Sequence, residues 1–152
     1  MEKQLRIGVF GTWRGNAYIK AVKFIDDAVV TALCDKAPNR IEEAKKNCAP
    51  DVAVFDNFDD FIESGLFDAV FICNYFNEHA QYAIRAMEKG IHVFSETMAA
   101  STMALCVKLC RAVESTGCKY MLAENYPFSR GCLEMKRLCE SGKLGKIMFE
   151  EG

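Results

Sequence analysis

Gly11, Thr12, Trp13 and Arg14 follow directly on the apolar run Leu5–Phe10, and a segment of helical character follows them. A glycine at the end of a strand lets the chain turn sharply and brings backbone N–H groups close to an anion. The positive end of the next helix then favours a phosphate or pyrophosphate. A second chemical group stands at the tip of the next apolar run, Ala28–Cys34, which ends in Asp35. In a dinucleotide-binding unit an acidic residue about 20 residues past the glycine turn accepts the adenosine ribose hydroxyls, and Asp35 lies close to that spacing. Lys36 and Arg40 follow it. A cation there can accept a 2′-phosphate, whereas an aspartate at the strand tip disfavours one, so the expected cofactor is NAD, with NADP possible.

The glycine pattern is irregular. A G-x-G-x-x-G sequence counted from Gly11 needs glycine at positions 13 and 16, where Trp13 and Asn16 stand, with Gly15 out of register. Two readings remain open: Gly8, Gly11 and Gly15 form a remodelled phosphate cradle, or they make the tight strand-to-helix turn of any parallel α/β protein.

The elements that must hold these groups alternate along the chain. Val52–Phe55, Ala69–Cys73, Ile91–Glu96 and Cys118–Ala123 read as further strands, and the unbroken apolar character of AVFIC suits a strand covered on both faces. Between them lie helical segments with inward residues Ala17, Ala21, Val22 and Ile25, then Ile41 and Ala44, then Phe58, Phe61 and Ile62, then Ala80, Ala83, Ile84 and Met87, and finally Leu105, Val107, Leu109 and Val113 in a helix read from Thr97. Asp59, Asp60 and Glu63 read as a solvated face. Six repetitions of strand and helix predict an α/β fold with a doubly wound, mostly parallel Rossmann-like sheet over residues 1–124. A methyltransferase-like binder of another adenosine cofactor would share the strand-tip acid but needs an antiparallel last strand. Residues 125–152 read as a connecting helix with Leu133, Met135 and Leu138, then Leu144–Gly152 as the start of a seventh strand leading to a second domain. Such an apolar edge would favour a homo-oligomer.

Composition narrows the function classes. Of 152 residues 51% are hydrophobic and 26% charged, with a net charge of -2, which does not suit nucleic acid or an anionic membrane surface. Met1–Lys3 runs straight into the first strand with no leader or membrane-length apolar run, which predicts a cytoplasmic protein. The eight cysteines form no C-x-x-C pair, so buried reduced thiols are expected rather than a metal site or disulfide frame.

The stretch Val70–Ala100, VFICNYFNEHAQYAIRAMEKGIHVFSETMAA, resembles the Gfo/Idh/MocA oxidoreductases. That family shows a T-P-x-x-x-H loop, a helix ending A-x-x-x-G and a strand G-x-H-V-x-x-E-K-P; His79, Ala86, Gly90, His92, Val93 and Glu96 stand at matching positions. The pair Cys34-Asp35 and the segment Gly142–Ile147 agree as well. The resemblance implies an NAD(P)-binding domain of a dehydrogenase acting on a sugar, polyol or related carbonyl compound, the substrate site being closed by a second domain. It implies cofactor contacts from Asn74, Tyr75, His79 and Glu96 beside Gly11, Thr12, Trp13, Arg14 and Asp35, with His92 structural. Three departures stand out: Thr97 replaces the motif lysine, which in the family is commonly assigned a role in catalysis, Met98 the proline, and Asn74-Tyr75 replaces T-P. A threonine cannot supply the lysine charge, so no catalytic residue is named within this chain. A non-catalytic dinucleotide-binding or redox-sensing module is the alternative.

Overall fold

The structure is a computed structural model and describes residues 4–149 and 151. Met1–Lys3, Glu150 and Gly152, which the sequence reading assigned to the approach to the first strand and the end of a seventh, lie outside the described residues. Six strands form one sheet: β1 (Leu5–Phe10), β2 (Ala28–Cys34), β3 (Ala53–Phe55), β4 (Ala69–Ile72), β5 (His92–Ser95) and β6 (Tyr120–Leu122). Their order is β3-β2-β1-β4-β5-β6 and every pairing is parallel. This is the order of two mononucleotide-binding halves meeting between β1 and β4. The helices are α1 (Thr12–Val22), α2 (Pro38–Lys45), α3 (Phe58–Glu63), α4 (His79–Glu88), α5 (Met103–Thr116) and α6 (Arg130–Glu140).

Strand β1 supplies both sides of the sheet. Ile7 and Val9 face a core with Ile19 and Val22 of α1, Leu33 of β2 and Ala44 of α2. Phe10 turns to the opposite core, where Phe61, Ile72, Met87 and Leu109 collect. Gly8 is on that second side because a Cβ there would come within 2.7 Å of the Phe61 and Phe67 rings. Gly8 therefore makes room for an aromatic layer, and it is not part of a phosphate cradle. Gly15 has a related role: a Cβ on it would meet Val9 Cγ1 at 2.5 Å, so α1 lies close on β1 only because position 15 is bare.

Several expectations are corrected. The buried stripe of α1 is Thr12, Gly15, Ile19 and Val22, while Ala17, Ala21 and Ile25 are exposed. The close packing through Gly15 fixes which face turns inward. Helix α5 starts at Met103, capped by the Thr102 hydroxyl accepting from Leu105 N–H, and buries Leu109 and Ala112 while Val107 stays exposed. Of the free cysteines, Cys34, Cys73 and Cys118 are buried, whereas Cys110 and Cys139 are exposed on α5 and α6. Among the described residues no seventh strand is present: Ile147, Met148 and Phe149 are unpaired with any described strand and at least half exposed. A strand needs a ladder partner, and apolar character alone supplies none.

Candidate functional site

Four chain crossings at the carboxyl edge of the sheet are pinned at one level by extensions of the ladder. Gly11 N–H donates to Cys34 O, Asp35 N–H to Phe55 O, Cys73 N–H to Phe10 O and Glu96 N–H to Ile72 O, at 2.7 to 3.2 Å. The loops that follow enclose a cavity of about 690 Å³ over the point where β1 and β4 diverge. Ligands of open α/β sheets bind at such a reversal of strand order.

Gly11 is obligatory there for two reasons. Its φ of +89° is left-handed, and a Cβ would stand 2.4 Å from the carbonyl carbon of Cys73. The turn therefore lies directly against the loop after β4. It delivers the first turn of α1 to the cavity. Thr12 N–H is taken by Asp35 and Gly15 N–H by Gly11 O. The amides of Trp13 and Arg14 have no intrahelical acceptor, as at any helix start, and these are the groups a pyrophosphate would use.

Asp35 is tied to the same turn. Its Oδ2 accepts from Thr12 N–H at 2.8 Å and from the Thr12 hydroxyl at 2.9 Å, and Oδ1 accepts from Ala37 N–H at 3.0 Å. Three donors leave part of the carboxylate's acceptor capacity free. The strand-tip acid and the glycine loop are thus one unit.

Glu96 organises the other end. Its carboxylate accepts from Arg14 Nε at 2.6 Å, from the Tyr18 hydroxyl and from Thr97 N–H at 3.2 Å. Burial by itself would raise its pKa, but the Tyr18 and Arg14 bonds outweigh that and hold it below the ordinary value near 4.5. Burial, with the Glu96 bond behind it, pushes the Tyr18 phenol up, so this hydroxyl stays a donor. The Tyr18 ring packs edge-on against Phe71 and Phe94. Tyr18 escaped the sequence reading. The stripe Gly15, Tyr18, Ile19, Val22, spaced three and four apart, was the signal that could have found it.

His79 opens α4 and is 1% exposed. Its two ring nitrogens lie 3.2 Å from the Met98 and Asn74 carbonyl oxygens, so it joins the loop after β4 to the loop after β5. His92 Nδ1 accepts from Lys119 N–H, a structural bond between neighbouring strands. Asn74 donates its amide to Glu78, while its Oδ1 is buried without a partner. Of the residues the sequence singled out, Gly11, Trp13, Arg14, Asp35, Asn74, Tyr75, His79 and Glu96 line the cavity. Thr12, 1% exposed, supports it from behind. Lys36, Arg40, Phe76, Glu78, Tyr82 and Thr97 also line the cavity.

The sequence profile described as the oxidoreductase family with an NAD-binding Rossmann fold, Gfo/Idh/MocA, matches residues 5–124. The chain belongs to the Gfo/Idh/MocA family. It is 29% identical to the myo-inositol 2-dehydrogenase of Thermotoga maritima, over 93% of this chain and 42% of that protein. It is equally identical to a glycosyl hydrolase family 109 protein of Bacteroides fragilis, over 97% of this chain and 34% of that one. The scyllo-inositol dehydrogenase of Lactobacillus casei, solved with NAD(H) and scyllo-inositol, superposes with a TM-score of 0.83 at 29% identity, over 95% of this chain and 43% of that chain. The chain therefore spans less than half the length of the relatives it matches. Within the Gfo/Idh/MocA framework it is an NAD-binding Rossmann domain. Its own residues suit that cofactor: two first-turn amides of α1 lack an intrahelical acceptor, the Asp35 carboxylate keeps acceptor capacity, and Asn74 Oδ1 lacks a donor. Among the described residues no helix is long and apolar enough to cross a membrane, and no cluster of His, Cys, Asp or Glu could hold a metal ion.

Proposed function

We propose that this chain is the dinucleotide-holding part of a dehydrogenase acting on a polyol, sugar or related carbonyl compound, of the kind represented by its inositol-acting relatives. Gly11, Thr12, Trp13 and Arg14 serve the pyrophosphate side, Asp35 the adenosine ribose, Asn74 and Tyr75 the adenosine or nicotinamide side, Glu96 the nicotinamide ribose, and His79 the cofactor side of the cavity. The single observation that carries this reading is the Asp35 carboxylate bonded to Thr12 at the turn made by Gly11. That bond joins the phosphate loop and the ribose acceptor.

NAD, when bound, supplies the hydride acceptor or donor. An alcohol must also lose a proton to a group within hydrogen-bond reach. Glu96 is committed to Arg14 and Tyr18, both His79 nitrogens face carbonyls, and Thr97 offers only a hydroxyl. On this reading residues 1–124 hold the cofactor, residues 125–152 lead toward a second domain, and the chain alone binds without turnover. A non-catalytic dinucleotide-binding module is the second reading, favoured by Thr97 standing where the motif has lysine.

Calorimetric titration with NADH and NADPH tests the site. NADH binds more tightly than NADPH, and Asp35→Ala weakens NADH by about 1 to 3 kcal/mol through loss of charge-assisted bonds to ribose. No heat with either nucleotide on folded protein overturns the proposal. An equal or higher affinity for NADPH overturns the role given to Asp35.

A further inference from the structure

One rim of the cavity carries an aromatic ring and a cation that neither core uses. Trp13, the protein's one tryptophan, is 76% exposed in the first turn of α1. The Arg40 guanidinium of α2 lies over its ring, 5.8 Å from the centroid. Both residues line the cavity and neither belongs to a buried cluster. They flank Asp35: Trp13 adjoins Thr12, whose N–H and hydroxyl bind that carboxylate, and Arg40 sits in the first turn of the helix that opens at Pro38.

We infer that Trp13 and Arg40 form the platform on which the adenine ring of the dinucleotide stacks. This rests on the proposed NAD site and assigns Trp13 to the base rather than to the pyrophosphate. The chemistry is that of flat neutral rings: adenine offers a π face to an indole and to a planar guanidinium alike. The placement follows from covalent geometry. A ribose held by Asp35 through its hydroxyls carries its base on the neighbouring ring carbon, and Trp13 and Arg40, from the first turns of α1 and α2, line the cavity beside Asp35. Arg40 held over Trp13 spends its flat face on stacking. A second exposed aromatic pair, Tyr75 and Phe76, stands on the loop after β4 and is the competing platform.

AMP and nicotinamide mononucleotide share a ribose 5′-phosphate and differ in the base, so the pair separates the two ends of the cavity. Each is titrated against emission from Trp13, with NADH calorimetry alongside. AMP quenches Trp13 saturably and nicotinamide mononucleotide does not. Trp13→Ala and Arg40→Ala each weaken NADH and AMP about tenfold, the usual scale of one base-stacking contact, while Trp13→Phe stays within about threefold of the parent. Arg40→Lys, which keeps the charge and loses the plane, falls between. Unchanged NADH affinity in Trp13→Ala overturns the platform, as does quenching by nicotinamide mononucleotide equal to that by AMP. So does a loss of AMP affinity in Tyr75→Ala that Trp13→Ala lacks. If the parent protein binds no NADH, the NAD reading itself falls; if NADH binds and the rim variants are indifferent, only the platform falls.

Discussion

The carboxyl edge around β1, β2 and β4 and the stretch from β6 onward are built from similar residues to opposite effect. At the first, the strand side chains pack into two cores, and the buried polar residues Thr12, Asp35, His79 and Glu96 are all bonded. In the second, α6 buries no residue, and Tyr126, Phe128, Leu133, Met135, Met148 and Phe149 are half or more exposed. Helix α6 is held by local devices, with the Ser129 hydroxyl accepting from Cys132 N–H and a Glu134–Arg137 pair along its surface. One region is specified by packing and the other by capping. Function collects in the first because a site needs loops that cannot drift, and only packing fixes them to that tolerance.

The hardest way to break this comparison is to add one methyl group at Gly11. Alanine there must take a φ of +89° and place its Cβ 2.4 Å from the Cys73 carbonyl carbon, so the turn has to leave the loop after β4. Gly11→Ala is expected to lower the unfolding free energy by about 3 kcal/mol, from strain plus overpacking, and to abolish NADH binding. Urea denaturation and calorimetry check it. A variant with unchanged midpoint and affinity shows that the edge tolerates drift.

A smaller effect is expected at Tyr18. Tyr18→Phe removes a hydrogen bond to a buried carboxylate and costs about 1 to 2 kcal/mol at neutral pH. The pH dependence has a definite sign. Because the folded protein holds Glu96 below its ordinary value near 4.5, its stabilisation is complete above that value and is lost as pH falls through the lower folded value. Losing the Tyr18 donor moves the folded value back up. The loss of stability below about pH 4.5 is then shallower in Tyr18→Phe than in the parent. Parallel acid-unfolding curves in the two proteins would remove Tyr18 from the Glu96 network.

The legibility of the sequence follows the same division. Strands covered on both sides are largely apolar runs, so β1, β2 and β4 could be read directly, and Asp35 stood out as an acid at the end of the second such run, past the glycine turn. The role of the glycines could not be assigned from spacing. Gly8 answers to Phe61 and Phe67, which are distant in sequence, and Gly15 answers to Val9 across the helix–sheet contact. Tyr18 and Glu96 lie 78 positions apart and meet only through the order β1-β4-β5. Ile147, Met148 and Phe149 carry strand-like side chains but no described strand pairs with them, because strand formation depends on a neighbour that no residue type encodes.

The smallest predicted effect has the opposite sign and is the sharpest test of the division. Gly131 lies in the first turn of α6, with nothing within 4 Å of where a Cβ would stand and no left-handed φ to preserve. Gly131→Ala therefore lowers the entropy of the unfolded chain and meets no clash in the folded one. The expected gain is about 0.5 kcal/mol, read as slower amide exchange confined to α6. Leu133→Ala, at a site 50% exposed, should change global stability by less than about 0.5 kcal/mol, where a buried leucine would lose several times that. If Gly131→Ala destabilises, or Leu133→Ala behaves as a core truncation, α6 is held by contacts rather than by its cap, and the contrast between the two regions collapses. If both stay local, capping alone accounts for α6. Its apolar side chains are then spare surface that the helix does not require for its own formation.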